Sequence, residues 1–255
     1  MQNALLKELG KQTLVSCAIY AVLFLALYAA EQLFPALDGR LLLWTLNGGT
    51  NWAFIIGIPA SVFGTAYVLT IKNPQNYTGF YLGIVMSILL GVQFFLQKQF
   101  DSTFLYICVF IPFQVKSILN WKKPQDTSSP FSPEFLKMKG MLFSLLVCLV
   151  ITFADYLLAT FVFQHNGLGD NIAIKLFNGL LISSSVLANF WLIYRKNDAW
   201  IYWLLYSVAG IVLFILINNI FSIVLFIFFL VINGTACIAW IKGTKPENLG
   251  WVKGK

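Results

Sequence analysis

Long apolar runs separated by short polar ones make up most of this chain. The runs fall at about 14–34, 50–71, 79–97, 103–121, 139–162, 173–194, 199–217 and 219–241. A helix rising about 1.5 Å per residue needs about 20 residues to cross roughly 30 Å of hydrocarbon, so each run predicts a membrane-spanning helix. A transmembrane β-strand would instead alternate apolar and polar positions over about 10 residues, and these runs are continuous over about twice that length. The pattern predicts an all-α integral membrane fold with eight transmembrane helices.

Polar punctuation marks the turns: Asp38-Gly39-Arg40, Lys72-Asn73-Pro74, Lys98-Gln99 with Asp101, Arg195-Lys196-Asn197-Asp198, and Asn218-Asn219. The longest connection, Lys122 to Lys139, is rich in Pro and Ser and reads as a linker between two halves. The expected organisation is an N-terminal segment with the first helix (1–45), a three-helix bundle (46–123), a loop and connector helix (124–170), a second three-helix bundle (171–245) and a cytoplasmic tail (246–255).

Composition agrees with lipid as the main solvent. The chain is 59% hydrophobic and 11% charged, with a mean hydropathy of +0.78, whereas soluble domains carry about a quarter charged residues. The basic residues then set the orientation, because short cytoplasmic loops accumulate them. With the N-terminus inside, all 17 Lys and Arg except Arg40, Lys98 and Lys175 fall on or near the cytoplasmic side, and the C-terminus is also inside. The pI near 9.2 therefore reports topology and gives no reason to expect nucleic-acid binding. Lys7 and Lys11 before the first run resemble a signal peptide, but the run is longer than a signal core and reads as an uncleaved helix. Cys17, Cys108, Cys148 and Cys237 lie within spans without a CxxC pair, as packing residues, so neither disulfide nor metal nor cofactor is indicated.

An internal recurrence organises the rest. Gln114 precedes Trp121 by seven residues in the fourth span, and Asn233 precedes Trp240 by seven in the eighth, a basic and proline-containing segment following each. Seven residues is nearly two turns, so amide and indole share a face, the amide about 10 Å deeper. The alternative is a pair of unrelated anchoring tryptophans. Counting crossings favours the recurrence: spans two to four and six to eight run in the same directions, with span five as a lone connector, so the halves are parallel repeats.

Polar groups within spans are costly unless they face protein or a wet cavity. Gln114, Asn189 and Asn233 are amides on three helices of the two bundles, suited either to helix association or to lining a polar cavity for an uncharged ligand. Asp155 is the one acid deep in a span, a functional candidate or a structural hydrogen-bond partner, and without a second buried acid it makes no proton relay. Trp200 and Trp203 share a helix face with Ser207 and Gly210. They read either as interfacial anchors or as a stacking wall for a planar ring, with Gly210 leaving room and Ser207 a hydroxyl. Pro59 and Pro112 are hinges or static kinks, and Gly79-x-x-x-Gly83 suits close helix packing within a bundle or between copies.

The run Ala188-Asn189-Phe190-Trp191-Leu192, then Arg195-Lys196 and Trp200-x-x-Trp203, with Phe113-Gln114 leading to Asn120-Trp121-Lys122, resembles the PnuC family of bacterial vitamin transporters over about residues 50–245. The resemblance implies a fold similar to SWEET sugar transporters, a homotrimer in the bacterial inner membrane, and facilitated diffusion of nicotinamide riboside, which is then retained by phosphorylation. It implies Trp200 and Trp203 as walls of the site, with Gln114 and Asn189 against pyridine amide or ribose groups; Ser207 and Asn233 complete the expected set. Ser207 stands where that pattern often has Asn or Asp, and similar relatives carry thiamine, riboflavin or deoxynucleosides, which stay as alternatives.

A membrane enzyme acting on lipid is the rival reading. It would need paired acids or a His cluster, and the chain offers the single His165, near Asn166 and Asp170 in an outer loop. A purely structural or sensory partner protein would not need the recurring amides.

Overall fold

The computed structural model of the chain describes residues 2–34, 45–46, 49–73, 76–122, 133–162 and 171–244. Most of the Pro/Ser-rich linker, the loop with His165, Asn166 and Asp170, the turn at Asp38-Gly39-Arg40 and the tail from Lys245 lie outside the described residues.

The apolar runs form helices α1 (Gln2–Leu33), α2 (Trp52–Ile71), α3 (Gly79–Leu96), α4 (Phe100–Phe104), α5 (Ile111–Trp121), α6 (Met138–Phe161), α7 (Ile172–Ile193), α8 (Asp198–Leu216) and α9 (Ile220–Lys242). A π-helical stretch, Leu105–Phe110, joins α4 to α5 into one span. Eight helical segments among the described residues are thus long and apolar enough to cross a membrane. The first helix starts about a dozen residues before its apolar run, because Leu5, Lys7, Glu8 and Lys11 are good helix formers and Gln12 donates to the Glu8 carboxylate one turn back. A short antiparallel pair, β1 (Thr45–Leu46) with β2 (Gly49–Thr50), lies between α1 and α2.

Packing follows chain order. Helix α3 packs on α2 and α5, and α8 on α7 and α9; α6 lies against α7, and α1 against α2. The two trios meet where α5 packs on α7 and α2 on α9. They also turn alike. After α3, Lys98 takes a positive φ of 60° while Lys98 N–H donates to the Phe95 carbonyl and Gln99 N–H to that of Phe94. After α8, Asn218 has φ 55° with the same bonds from Asn218 and Asn219 to Ile215 and Phe214, each position 120 residues on. A left-handed residue at this point satisfies the last helical carbonyls and reverses the chain in the fewest residues.

The described end of the linker is tied to the α7–α8 turn. Leu136 N–H donates to the Asp198 carboxylate at 2.7 Å, Asn197 N–H to the Glu134 carbonyl at 2.9 Å, and Lys196 pairs with the Glu134 carboxylate. Asp198 is fully buried, so this anchor keeps its charge solvated by protein.

The glycine pair of α3 works inside the bundle. A Cβ at Gly79 would sit 2.7 Å from the Ile71 Cγ2 and 3.1 Å from the Tyr67 carbonyl oxygen, and one at Gly83 would sit 2.8 Å from the Gln114 amide carbon. Gly79→Ala is therefore expected to cost about 1–3 kcal/mol by overpacking the α2–α3 crossing. Thermal unfolding in detergent should show a lower midpoint for Gly79→Ala and none for Gly10→Ala, where nothing lies within 4 Å.

Candidate functional site

A cavity of about 330 Å³ lies between the two trios, of a size suited to a small ligand. It runs from the ends of α2, α3 and α8 at Asn51, Gln97 and Ile217 inward to Tyr67, Trp203 and Asn233. Among the described residues no charged side chain lines it. Its walls are aromatic: Tyr106 stacks on Phe94 with ring centres 5.4 Å apart, Trp203 meets Tyr206 edge-on at 5.3 Å, and Tyr206 lies 5.2 Å from Phe226. The π-helical stretch contributes Leu105, Tyr106 and Phe110, and it ends against Pro112, whose missing N–H cannot bond to the turn before it. Pro59 lies inside α2, one residue from the lining Ala60.

The cavity wall carries polar atoms that the fold leaves unused, those of Trp203, Asn233 and Tyr67 at its inner end and that of Gln93 nearer its mouth. Gln93 Oε1, Trp203 Nε1 and Asn233 Oδ1 are buried with no hydrogen-bond partner, and the Tyr67 hydroxyl lies beside Gln114 without a bond of ordinary geometry. Buried polar groups are nearly always paired, so a cluster of unpaired ones on a cavity wall is a place for a ligand or water to bind. The four groups offer both donors and acceptors.

The expected site residues divide into three sets. Trp203 and Asn233 line the cavity, with Ser207 directly behind: Asn233 Nδ2 donates to Ser207 Oγ at 3.1 Å and to the Trp203 carbonyl at 3.3 Å. Gln114 and Asn189 bond to each other, Nε2 to Oδ1 at 3.0 Å, and join α5 to α7 below the cavity without lining it. Asn189 also donates to the Ser185 carbonyl at 2.9 Å. Trp200 is wholly buried away from the cavity, against Trp240. The room beside Gly210 is filled as well, for a Cβ there would fall 2.0 Å from the Phe226 ring. Asp155 accepts from Asn178 Nδ2 at 3.3 Å, and Asn178 lines the cavity.

Beneath the amide pair the two trios are joined by an aromatic clasp. Trp121 Nε1 donates to the Leu192 carbonyl at the end of α7, at 2.9 Å, and Trp240 Nε1 donates to the Lys72 carbonyl just past α2, at 3.0 Å. Each tryptophan thus ends the third helix of one trio and binds the first helix of the other. Their rings lie 5.9 Å apart; Phe80 meets Trp121 edge-on at 4.7 Å and Trp200 meets Trp240 at 5.5 Å. Phe80 and Trp200 hold corresponding places at the starts of α3 and α8, which explains the burial of Trp200. Arg195 covers the clasp, its guanidinium carbon 4.9 Å from the Trp121 ring centre and its Nη2 donating to the Trp121 carbonyl at 2.9 Å. Partial burial draws its pKa below the ordinary guanidinium value.

Tyr67, Gln93, Tyr106 and Tyr206 line the cavity without having stood out in the sequence. Gln93 is an amide in an apolar run like Gln114, but lying close to the polar turn at Gln97 it resembles a turn residue. The tyrosines follow no spacing that separates cavity from core.

A pocket between two helical trios of a multi-pass membrane protein, without a charged side chain among its described lining residues, suits a carrier of small molecules. Residues 54–242 match the model of the nicotinamide mononucleotide transporter family, and the chain belongs to that family. Its fold is similar to that in a structure described as the crystal structure of the vitamin B3 transporter PnuC, with a TM-score of 0.59 and 16% identity over 91% of this chain and 95% of that one. No curated protein sequence matches it. The family is the one suggested by the tryptophan and amide motifs, and it makes the protein a transporter and not an enzyme; the eight-span helical fold expected from the apolar runs is also found.

Trp240→Phe keeps the ring but removes the bond to the Lys72 carbonyl. It is expected to lower stability by about 1–2 kcal/mol. The check is thermal unfolding of the purified protein, with Trp52→Phe as the reference, since Trp52 is 63% exposed.

Proposed function

We propose that the protein imports nicotinamide riboside by facilitated diffusion across the bacterial cytoplasmic membrane, both termini inside, through alternating access between its two three-helix bundles. One observation carries the reading: an uncharged aromatic cavity between the bundles whose buried donors and acceptors have no partner of their own. A nicotinamide ring suits the faces of Trp203, Tyr106 and Tyr206, its positive charge adding a cation–π attraction, while amide and hydroxyl groups suit the unused polar atoms. A mononucleotide fits this cavity poorly. Its phosphate would enter without one Lys or Arg among the described lining residues, a desolvation that such sites normally offset with cations or helix N-termini.

In this reading the cavity is the outward-facing half of the cycle and the tryptophan clasp is the closed inner gate. The bundles are parallel repeats related by an axis along the membrane normal, as in SWEET transporters; the recurring turns at Lys98 and Asn218 and the reciprocal tryptophan bonds support this. Trp203, Asn233 and Tyr67 face the cargo, Gln114 and Asn189 hold the bundles beneath it, and Trp200 belongs to the gate. The functional unit is a homotrimer whose exposed apolar side chains, Phe143, Leu146 and Val150 among them, meet lipid or a neighbouring copy.

Protein in liposomes should take up labelled nicotinamide riboside saturably, and nicotinamide mononucleotide at least tenfold less efficiently. Absence of saturable riboside uptake overturns the reading. Trp203→Ala should raise KM about tenfold, the scale of one lost ring-stacking contact. Uptake should persist when proton and sodium gradients are collapsed; if it stops, diffusion down the cargo's own gradient is wrong.

A further inference from the structure

The amide of Asn233 is held in one orientation by its neighbours. Both of its N–H protons have acceptors, Ser207 Oγ at 3.1 Å and the Trp203 carbonyl at 3.3 Å. The Ser207 hydroxyl donates its own proton to the same Trp203 carbonyl, at 2.8 Å, so toward Asn233 it can only accept. Turning the amide over would set its oxygen against two oxygens that both present lone pairs. Oδ1 is left pointing away from Ser207, buried, unpartnered and on the cavity wall, in a residue only 2% exposed.

Such an oxygen accepts and cannot donate. On the neighbouring helix Trp203 Nε1, also unpartnered, donates and cannot accept. A ribose hydroxyl can rotate to suit either group and would not require a fixed amide, whereas a primary carboxamide carries one fixed acceptor and one fixed donor. We propose that Ser207 is a positioning residue for specificity: by fixing Asn233 with its carbonyl toward the cavity, it makes the site select a ring carboxamide over the corresponding carboxylate. The inference rests on the nicotinamide riboside reading and adds the group by which that cargo is distinguished. A carboxylate in the same place would bring an anionic oxygen to Asn233 Oδ1, two acceptors with no proton between them, in a cavity with no cation among its described lining residues.

The test is binding to the purified full-length protein by calorimetry, comparing nicotinamide riboside with nicotinic acid riboside. The wild type should bind the acid at least 100-fold more weakly. Ser207→Ala removes one of the two acceptors that hold the Asn233 amide, leaving the Trp203 carbonyl, and should weaken riboside binding about fivefold while narrowing the amide-to-acid ratio by tenfold or more. Ser207→Thr, which keeps the hydroxyl, should restore the ratio. A structural role for Ser207 would lower affinity for both ligands together and leave their ratio unchanged, and that result overturns the inference. So does equal binding of the two ribosides by the wild type, which leaves the transport reading intact. If nicotinamide riboside does not bind the wild type at all, the transport reading falls and this inference with it.

Discussion

Two reciprocal hydrogen bonds tie this molecule together: the Trp121 indole to the end of α7 and the Trp240 indole to the end of α2. Helix ends present carbonyls that the helix cannot satisfy, and within or near a bilayer there is little water to do it. Here each trio supplies a donor to a helix end of the other, although the Leu192 carbonyl also accepts from the Arg195 N–H of its own turn. Because each bond crosses between trios, each couples a helix end of one half to the other half. The pairing also brings the two indoles together, with Phe80 and Trp200 closing on their outer sides. A dry aromatic layer at one end of the interface follows from that constraint.

With that end joined, space between the trios is left toward the other. The Gln114–Asn189 bond sits between clasp and cavity and uses amides that would otherwise face into the opening. Gly83 makes this possible, since any side chain there would displace Gln114. Above it, the π-helical stretch before Pro112 places Tyr106 and Phe110 on the cavity wall. Polarity is thus graded by depth: paired amides below, unpaired single groups at the inner end of the cavity, and turn residues such as Gln99 and Asn219 at its mouth.

The spans were legible because lipid demands long apolar runs, and the seven-residue spacing of amide to tryptophan marked both third helices. The roles of those residues were not legible. An amide facing another amide and an amide facing a cavity obey the same rule, that a buried polar group needs a partner, and only the distance between α5 and α7 separates Gln114 from Asn233. Trp200 and Trp203 share a face at the resolution of a sequence pattern, yet they differ by about 60° around the helix and about 4.5 Å along it. That is enough to send one into the clasp and the other to the cavity. Gly210 read as open space, and Phe226 from the facing helix fills it. Such outcomes depend on what the partner helix presents, which no periodicity within one helix records.

In the alternating-access reading proposed above, the clasp is of a suitable strength for a gate. Two indole–carbonyl bonds contribute about 1 kcal/mol each, and three ring contacts about 0.5–1.5 kcal/mol each, so the inner end is held by a few kcal/mol. Reversing a two-state equilibrium from one side to the other takes roughly 5.5 kcal/mol of differential binding. These quantities are of one order. A stronger joint, such as an ion pair buried in lipid, would resist opening by an amount that a small cargo could not offset, whereas lipid-facing leucines alone would hold no preferred state. Neutral hydrogen bonds and edge-on rings lie between the two. In that reading, the same scarcity of charge that admits the chain to the bilayer leaves its closed end able to open.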